Sequence, residues 1–191
     1  MKKESRSLST GTLVLGAVLT ALTVLLQLMG AFIKFGPFSI SLVLVPIVIG
    51  AATCGTKIST WLGLVFGVVV LLSGDAALFL AVDVPGTVIT VLAKGILCGF
   101  TAGVTYNLIS RKNKTLAVIV AAIVCPVVNT GIFLTGCLLF FMETITQWAG
   151  GTNVGYYMIA VLVGFNFVFE LVINIVLSPV IVRLLKIKKK I

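Results

Sequence analysis

Long apolar runs broken by short polar segments fill this chain from Gly11 to Val182, and only two charged side chains, Lys94 and Glu170, fall inside those runs. Such a sequence cannot fold as an ordinary water-soluble domain, in which about a quarter of the residues are charged. Here the charged fraction is 10%, the apolar fraction is 60% and the mean hydropathy is +1.26. A helix needs about 20 apolar residues to cross the hydrocarbon layer. The 191 residues therefore hold six spans and their connections, and no second soluble domain of ordinary size. The expected architecture is an all-α integral membrane protein, one domain over 1–191, with spans at about 11–33, 39–53, 58–73, 87–109, 116–142 and 156–182.

The breaks carry the turn chemistry. Lys34-Phe35-Gly36-Pro37-Phe38 reads as a turn, and Gly55-Thr56-Lys57 as another. Pro46 lies in the second run and predicts a kink there. Residues 74–86 form a loop with Asp75 and Asp83, and 143–155 form a longer, glycine-rich polar connection. Six spans place both chain ends on one side, together with 12 of the 14 lysines and arginines. Lys34, Asp75, Asp83 and Glu143 fall on the other. Cationic loops stay inside, so both termini are expected in the cytoplasm. The net charge of +9 is then a topology signal rather than a nucleic-acid footprint.

Several chemistries are excluded. The chain has no histidine, which removes histidine-dependent hydrolysis, imidazole ligation of haem and histidine zinc sites. No glycine-rich phosphate loop is present, so energy for uphill movement must come from a partner or an ion gradient. Cys54, Cys98, Cys125 and Cys137 lie in apolar runs without a C-x-x-C pair and read as small buried hydrophobes. No cofactor and no metal site are expected, and no enzyme activity.

Small residues repeat every four positions at Ala17/Ala21, at Gly63/Gly67 and at Gly95/Gly99/Gly103. This spacing lets helices pack closely in lipid. For the glycines it predicts packing within the bundle; for Ala17 and Ala21, either packing or a seat for a partner helix.

Ionisable groups at mid-bilayer are costly, about 2.5–3.5 kcal/mol each on insertion scales, and face a cavity or each other. Lys94 shares a helix stripe with Thr87, Thr90 and Thr101, about eight residues or roughly 12 Å below the outer end of its span. Asn166, Glu170 and Asn174 repeat every four residues on the sixth span, and Asn129 and Thr130 follow Pro126 on the fifth. Two readings fit: a structural Lys94–Glu170 pair cross-linked by asparagines, or a polar ligand pocket toward the outer side. More polar groups converge than a pair requires, which favours the pocket, with Lys94 as partner for a ligand carboxylate. Trp148, Tyr156 and Tyr157 flank the outer end of the sixth span, as interfacial anchors or as a lid.

The run from Phe35 to Gly50 (FGPFSISLVLVPIVIG), Ala17-x-x-x-Ala21, Gly63-Leu-Val-Phe-Gly67, Pro126-Val-Val-Asn-Thr-Gly131 and the basic ends together resemble the substrate-binding (S) components of energy-coupling factor (ECF) transporters. These are small six-helix vitamin-capture proteins of the bacterial plasma membrane. The resemblance implies that Ala17 and Ala21 dock on a transmembrane energising subunit, which carries two ATPase subunits that use the ATP. It also implies that substrate is held from outside by Lys94, Asn129, Asn166, Glu170 and Asn174, with Asp75 and Trp148 nearby. The pantothenate-type group is the most similar; riboflavin, folate or a lipoate-like compound are alternatives. So is an autonomous carrier coupled to protons through Glu170.

Overall fold

The computed structural model describes residues 10–30, 34–35, 38–39 and 42–188. The basic N-terminal segment, Gly36-Pro37 and the last three residues lie outside it. The first helix, α1 (Thr10–Gly30), is followed by two-residue strands β1 (Lys34–Phe35) and β2 (Phe38–Ser39), paired antiparallel with Lys34 opposite Ser39. The turn expected at 34–38 thus returns the chain on itself as a minimal hairpin. Then come α2 (Leu44–Thr53), α3 (Thr56–Leu72), the single turn α4 (Ala77–Leu80), α5 (Val84–Ser110), α6 (Lys114–Phe140) and α7 (Met142–Ala149). The last helical body begins as α8 (Val154–Tyr156), widens into a π-helix over Tyr157–Gly164 and continues as α9 (Phe165–Lys188).

The helix starts follow from local chemistry. Asp83 accepts a hydrogen bond from the Gly86 amide at 2.9 Å and Pro85 sits in the first turn, so α5 begins three residues before the expected boundary. Asn113, expected to be only part of a polar hinge, caps α6 through the amides of Thr115 and Leu116. Pro46 is the third residue of α2, where an amide hydrogen would find no partner within the helix in any case. It therefore starts a helix, and the kink expected inside the second run does not arise. Pro126, by contrast, lies inside an otherwise continuous α6.

Among the described residues, four stretches are long and apolar enough to cross a membrane: Thr10–Gly30, Val84–Ser110, Lys114–Phe140 and Asn166–Arg183. The helix at the second expected span, α2, has ten residues and rises about 15 Å, half the hydrocarbon thickness. Leu44, Ile47, Val48 and Ala51 in it are fully buried. It touches α1, α3, α5, α6 and α9, and its apolar surface on all sides suits a core helix. The fifth expected span stops at Phe140, and much of the connection expected over 143–155 is helical as α7.

The most extensive contacts join α5 to α6 and to α3. At the α3–α5 crossing, glycine meets glycine. A Cβ on Gly63 would lie 2.0 Å from the Gly95 carbonyl oxygen, and one on Gly99 would lie 2.1 Å from that of Ser59. The expected small-residue stripes therefore pack against each other within the bundle. Ala17 and Ala21 instead lie on the exposed face of α1 with Val14, Val18 and Leu25. Cys98, Cys125 and Cys137 are buried, as expected of small apolar residues, whereas Cys54 is only half-buried; all four are free thiols.

Candidate ligand-binding cavity

Chain direction alternates between neighbouring helices, so the ends of α3 and α6 and the starts of α5 and α8 share one end of the bundle. That end carries Asp75, Asp83 and Glu143; the opposite end carries Lys57, Arg111, Lys114 and Arg183. A cavity opens toward the acidic end between α3, α5, α6 and the last helical body, roofed by α4. Its volume, measured as space for the centres of water-sized molecules, is about 90 Å³. One water needs roughly 10–15 Å³ on that measure, so there is room for more than a trapped solvent molecule.

The walls combine apolar and polar groups. Lys94, Asn129, Asn166, Glu170 and Asp75 all line the cavity, so five of the seven expected site residues converge on one space. Lys94 lies ten residues into α5, about 15 Å below its start. Its ammonium sits over two ring faces, 5.4 Å from the centre of Phe66 and 5.5 Å from that of Phe133. Glu170 and, more weakly, Asp75 are the carboxylates whose charge reaches it. Glu170 is 6% exposed. The π-helix supplies Leu162 and Val163, followed by Asn166, Phe167 and Glu170 from α9. A wider winding just before a site is a common functional use of π-helix, and nothing in the apolar pattern of 157–164 announced it.

Two expected residues lie elsewhere. Asn174 is buried one turn beyond Glu170, where its amide donates to the Glu170 carbonyl at 2.8 Å. It does not line the cavity. Trp148, on α7, is also outside the lining and stacks edge-on against Phe79 with ring centres 5.7 Å apart. Phe79 does reach the cavity, and it further contacts Phe133 at 5.6 Å and Phe141 at 4.9 Å. The aromatic cover is therefore centred on α4. The only sign of it in the sequence was a short apolar stretch, Ala76–Leu80, inside an otherwise polar loop.

Two further polar residues belong to this region: Gln27, which no sequence pattern marked, and Thr90 of the expected Lys94 stripe. On the buried face of α1, Gln27 is 1% exposed and its amide donates to the Asp75 carboxylate. On α5, Thr90 lines the cavity at 4% exposure with no hydrogen-bond partner for its hydroxyl. The side-chain oxygen of Asn129 is likewise buried and unpartnered. Each such atom costs about 1–3 kcal/mol. No cluster of metal-ligating side chains occurs among the described residues.

The pocket thus brings a central lysine, nearby carboxylates and unpartnered amide and hydroxyl oxygens together in one space. Residues 11–182 match the family model of the ECF transporter substrate-specific component. The chain belongs to that family. Comparison with curated proteins and with solved structures yields no match. Membership makes this substrate-specific component a membrane-embedded transport and binding subunit, associated with an energising module and a substrate.

Proposed function

We propose that this substrate-specific component captures a vitamin-sized micronutrient from outside the cell in the cavity between α5, α6 and α9. A transmembrane energising subunit with two ATPase subunits then drives its uptake. The observation that carries this reading is the convergence of Lys94, Asn129, Asn166 and Glu170, from three separate helices, on one open cavity. A structural ion pair alone would call for two of these four and would leave no space between them.

Orientation follows from the separation of charge between the two ends of the bundle. Cationic connections stay in the cytoplasm, so Lys57, Arg111, Lys114 and Arg183 face inward, both termini with them, and the cavity opens outward. Six helical bodies then correspond to six passes. The exposed small-residue face of α1 at Ala17 and Ala21 is the docking surface for the energising subunit. Pantothenate heads the candidate substrates, with its carboxylate at Lys94.

The test is calorimetric titration of the detergent-purified protein against pantothenate, riboflavin, folate and lipoate. Submicromolar binding of one compound supports capture. Uptake by the isolated chain in proteoliposomes without ATP refutes the dependence on a partner module and favours a carrier coupled through Glu170.

A further inference from the structure

Several helical threonines in this protein satisfy their hydroxyls on their own helix. Thr20, Thr53, Thr60, Thr87, Thr101 and Thr135 each donate to the carbonyl four residues earlier, at 2.6–2.8 Å. Thr90 does not, although it lies on α5 between Thr87 and Thr101. Thr90 is a lining residue, 4% exposed as a whole, and its buried hydroxyl and methyl both pack on α6 at Gly136, where a Cβ would clash with them. The other unpartnered buried oxygen in the lining that belongs to α6 is Asn129 Oδ1. Thr90 is level with Gly136, and Asn129 lies seven residues from Gly136 on the same helix, so the two oxygens are separated by about 10 Å along the axis. Lys94, one turn below Thr90 on α5, lines the same cavity.

We infer that Thr90 and Asn129 are a pair of specificity-determining residues that receive hydroxyl or N–H donors of the ligand at two depths of the cavity. The inference rests on the capture reading and narrows it. The site selects elongated compounds with hydrogen-bond donors spaced along about 10 Å, and it rejects acids whose body is purely apolar. A site built to hydrogen-bond a ligand discriminates strongly against an analogue without the matching group, because its own buried polar atoms are then left unpaired. Lipoate offers only a carboxylate and an apolar ring and chain; pantothenate adds an amide and two hydroxyls.

The experiment uses the full-length purified protein, wild type, Thr90→Val and Asn129→Leu, titrated with pantothenate, riboflavin, folate and lipoate, with the ligand-free melting temperature of each protein recorded. The expected result is that wild type binds a donor-bearing compound at least tenfold more tightly than lipoate. Thr90→Val then weakens that binding by about tenfold while its ligand-free melting temperature stays level or rises, because a buried unpaired hydroxyl is replaced by a methyl of the same shape. A purely structural threonine would lower melting temperature and affinity together, and that outcome overturns the inference. So does undiminished affinity in both variants, or lipoate as the tightest ligand, while capture itself stands. Binding of none of the four compounds by wild type overturns the capture reading and this inference with it.

Discussion

The wall that holds Lys94 depends on a backbone contact, and Gly95→Ala measures how much. A Cβ at Gly95 would lie 2.3 Å from the carbonyl oxygen of Gly63, about 1.1 Å inside the 3.4 Å at which ordinary contact begins. Neither atom belongs to a flexible side chain, so α3 and α5 must separate. Overpacking of this kind costs typically 1–3 kcal/mol, and a clash with fixed backbone belongs at the top of that range. Alanine recovers roughly 1 kcal/mol through its helix propensity, leaving a net loss of about 2 kcal/mol. Gly131→Ala on α6 is the matched control: nothing lies within 4 Å of its Cβ position, so it gains the propensity term alone. The two variants should therefore differ by about 3 kcal/mol. The separation also carries Lys94 away from the Phe66 ring on α3, now 5.4 Å from its ammonium, so ligand affinity should fall in Gly95→Ala and hold in Gly131→Ala. Thermal unfolding in detergent, followed by tryptophan fluorescence, gives the stability order, and titration gives the affinity. Equal melting temperatures for the two variants would refute the close-approach account of α3–α5 packing.

Lys94→Met should abolish ligand binding while expression and helix content by circular dichroism remain near wild type; loss of the fold would instead identify a structural Lys94–Glu170 pair. Ala17→Leu combined with Ala21→Leu enlarges an exposed face of α1 and should leave ligand affinity unchanged while ATP-driven uptake by the reconstituted complex disappears. Loss of both together would exclude docking through that face. Phe79→Ala removes the ring on which Phe133, Phe141 and Trp148 converge and should cost about 3–5 kcal/mol in unfolding experiments, with faster ligand release in stopped-flow measurements. An unchanged dissociation rate would mean that the aromatic cluster does not cover the ligand.

Features governed by spacing along one helix were legible in the sequence. The glycine stripes at Gly63 and at Gly95/Gly99 predicted close packing because an interval of four places them on one face, and each face supplies the surface the other needs. Lys94, Asn129, Asn166 and Glu170 were legible as a group because a polar atom in lipid must face inward, and four inward-facing atoms from three helices must meet. Depth and cover were not legible. Asn174 satisfies the same periodicity as Glu170, yet it spends its amide on the Glu170 carbonyl, and no pattern separates the two roles. The apolar run around Pro46 gave no sign that its helix is only ten residues long and packed among five others, because hydropathy does not distinguish burial in lipid from burial in protein. Gln27 and Asp75 are 48 residues apart, and a contact of that kind leaves no local trace.

The site is stiff on one side and soft on the other, and the difference follows from how each side is built. Its wall consists of α5 and α6, each 27 residues long, with α3 held against α5 by backbone contacts that admit no side chain. Moving any of these helices means breaking an interface along most of its length. The cover consists of the four-residue α4, the eight-residue α7 and an eight-residue π-helix, joined through the Phe79 cluster. Displacing it opens one small buried cluster around Phe79, Phe141, Ile145, Met158 and Leu162 and its edge-to-face ring contacts, each worth about 0.5–1.5 kcal/mol beyond its buried area. Local opening draws on the least stable elements of a fold, so movement at the acidic end costs far less than movement between the long helices. The hydrogen bond from Gln27 to Asp75 ties the turn before α4 to α1, whose opposite face is exposed.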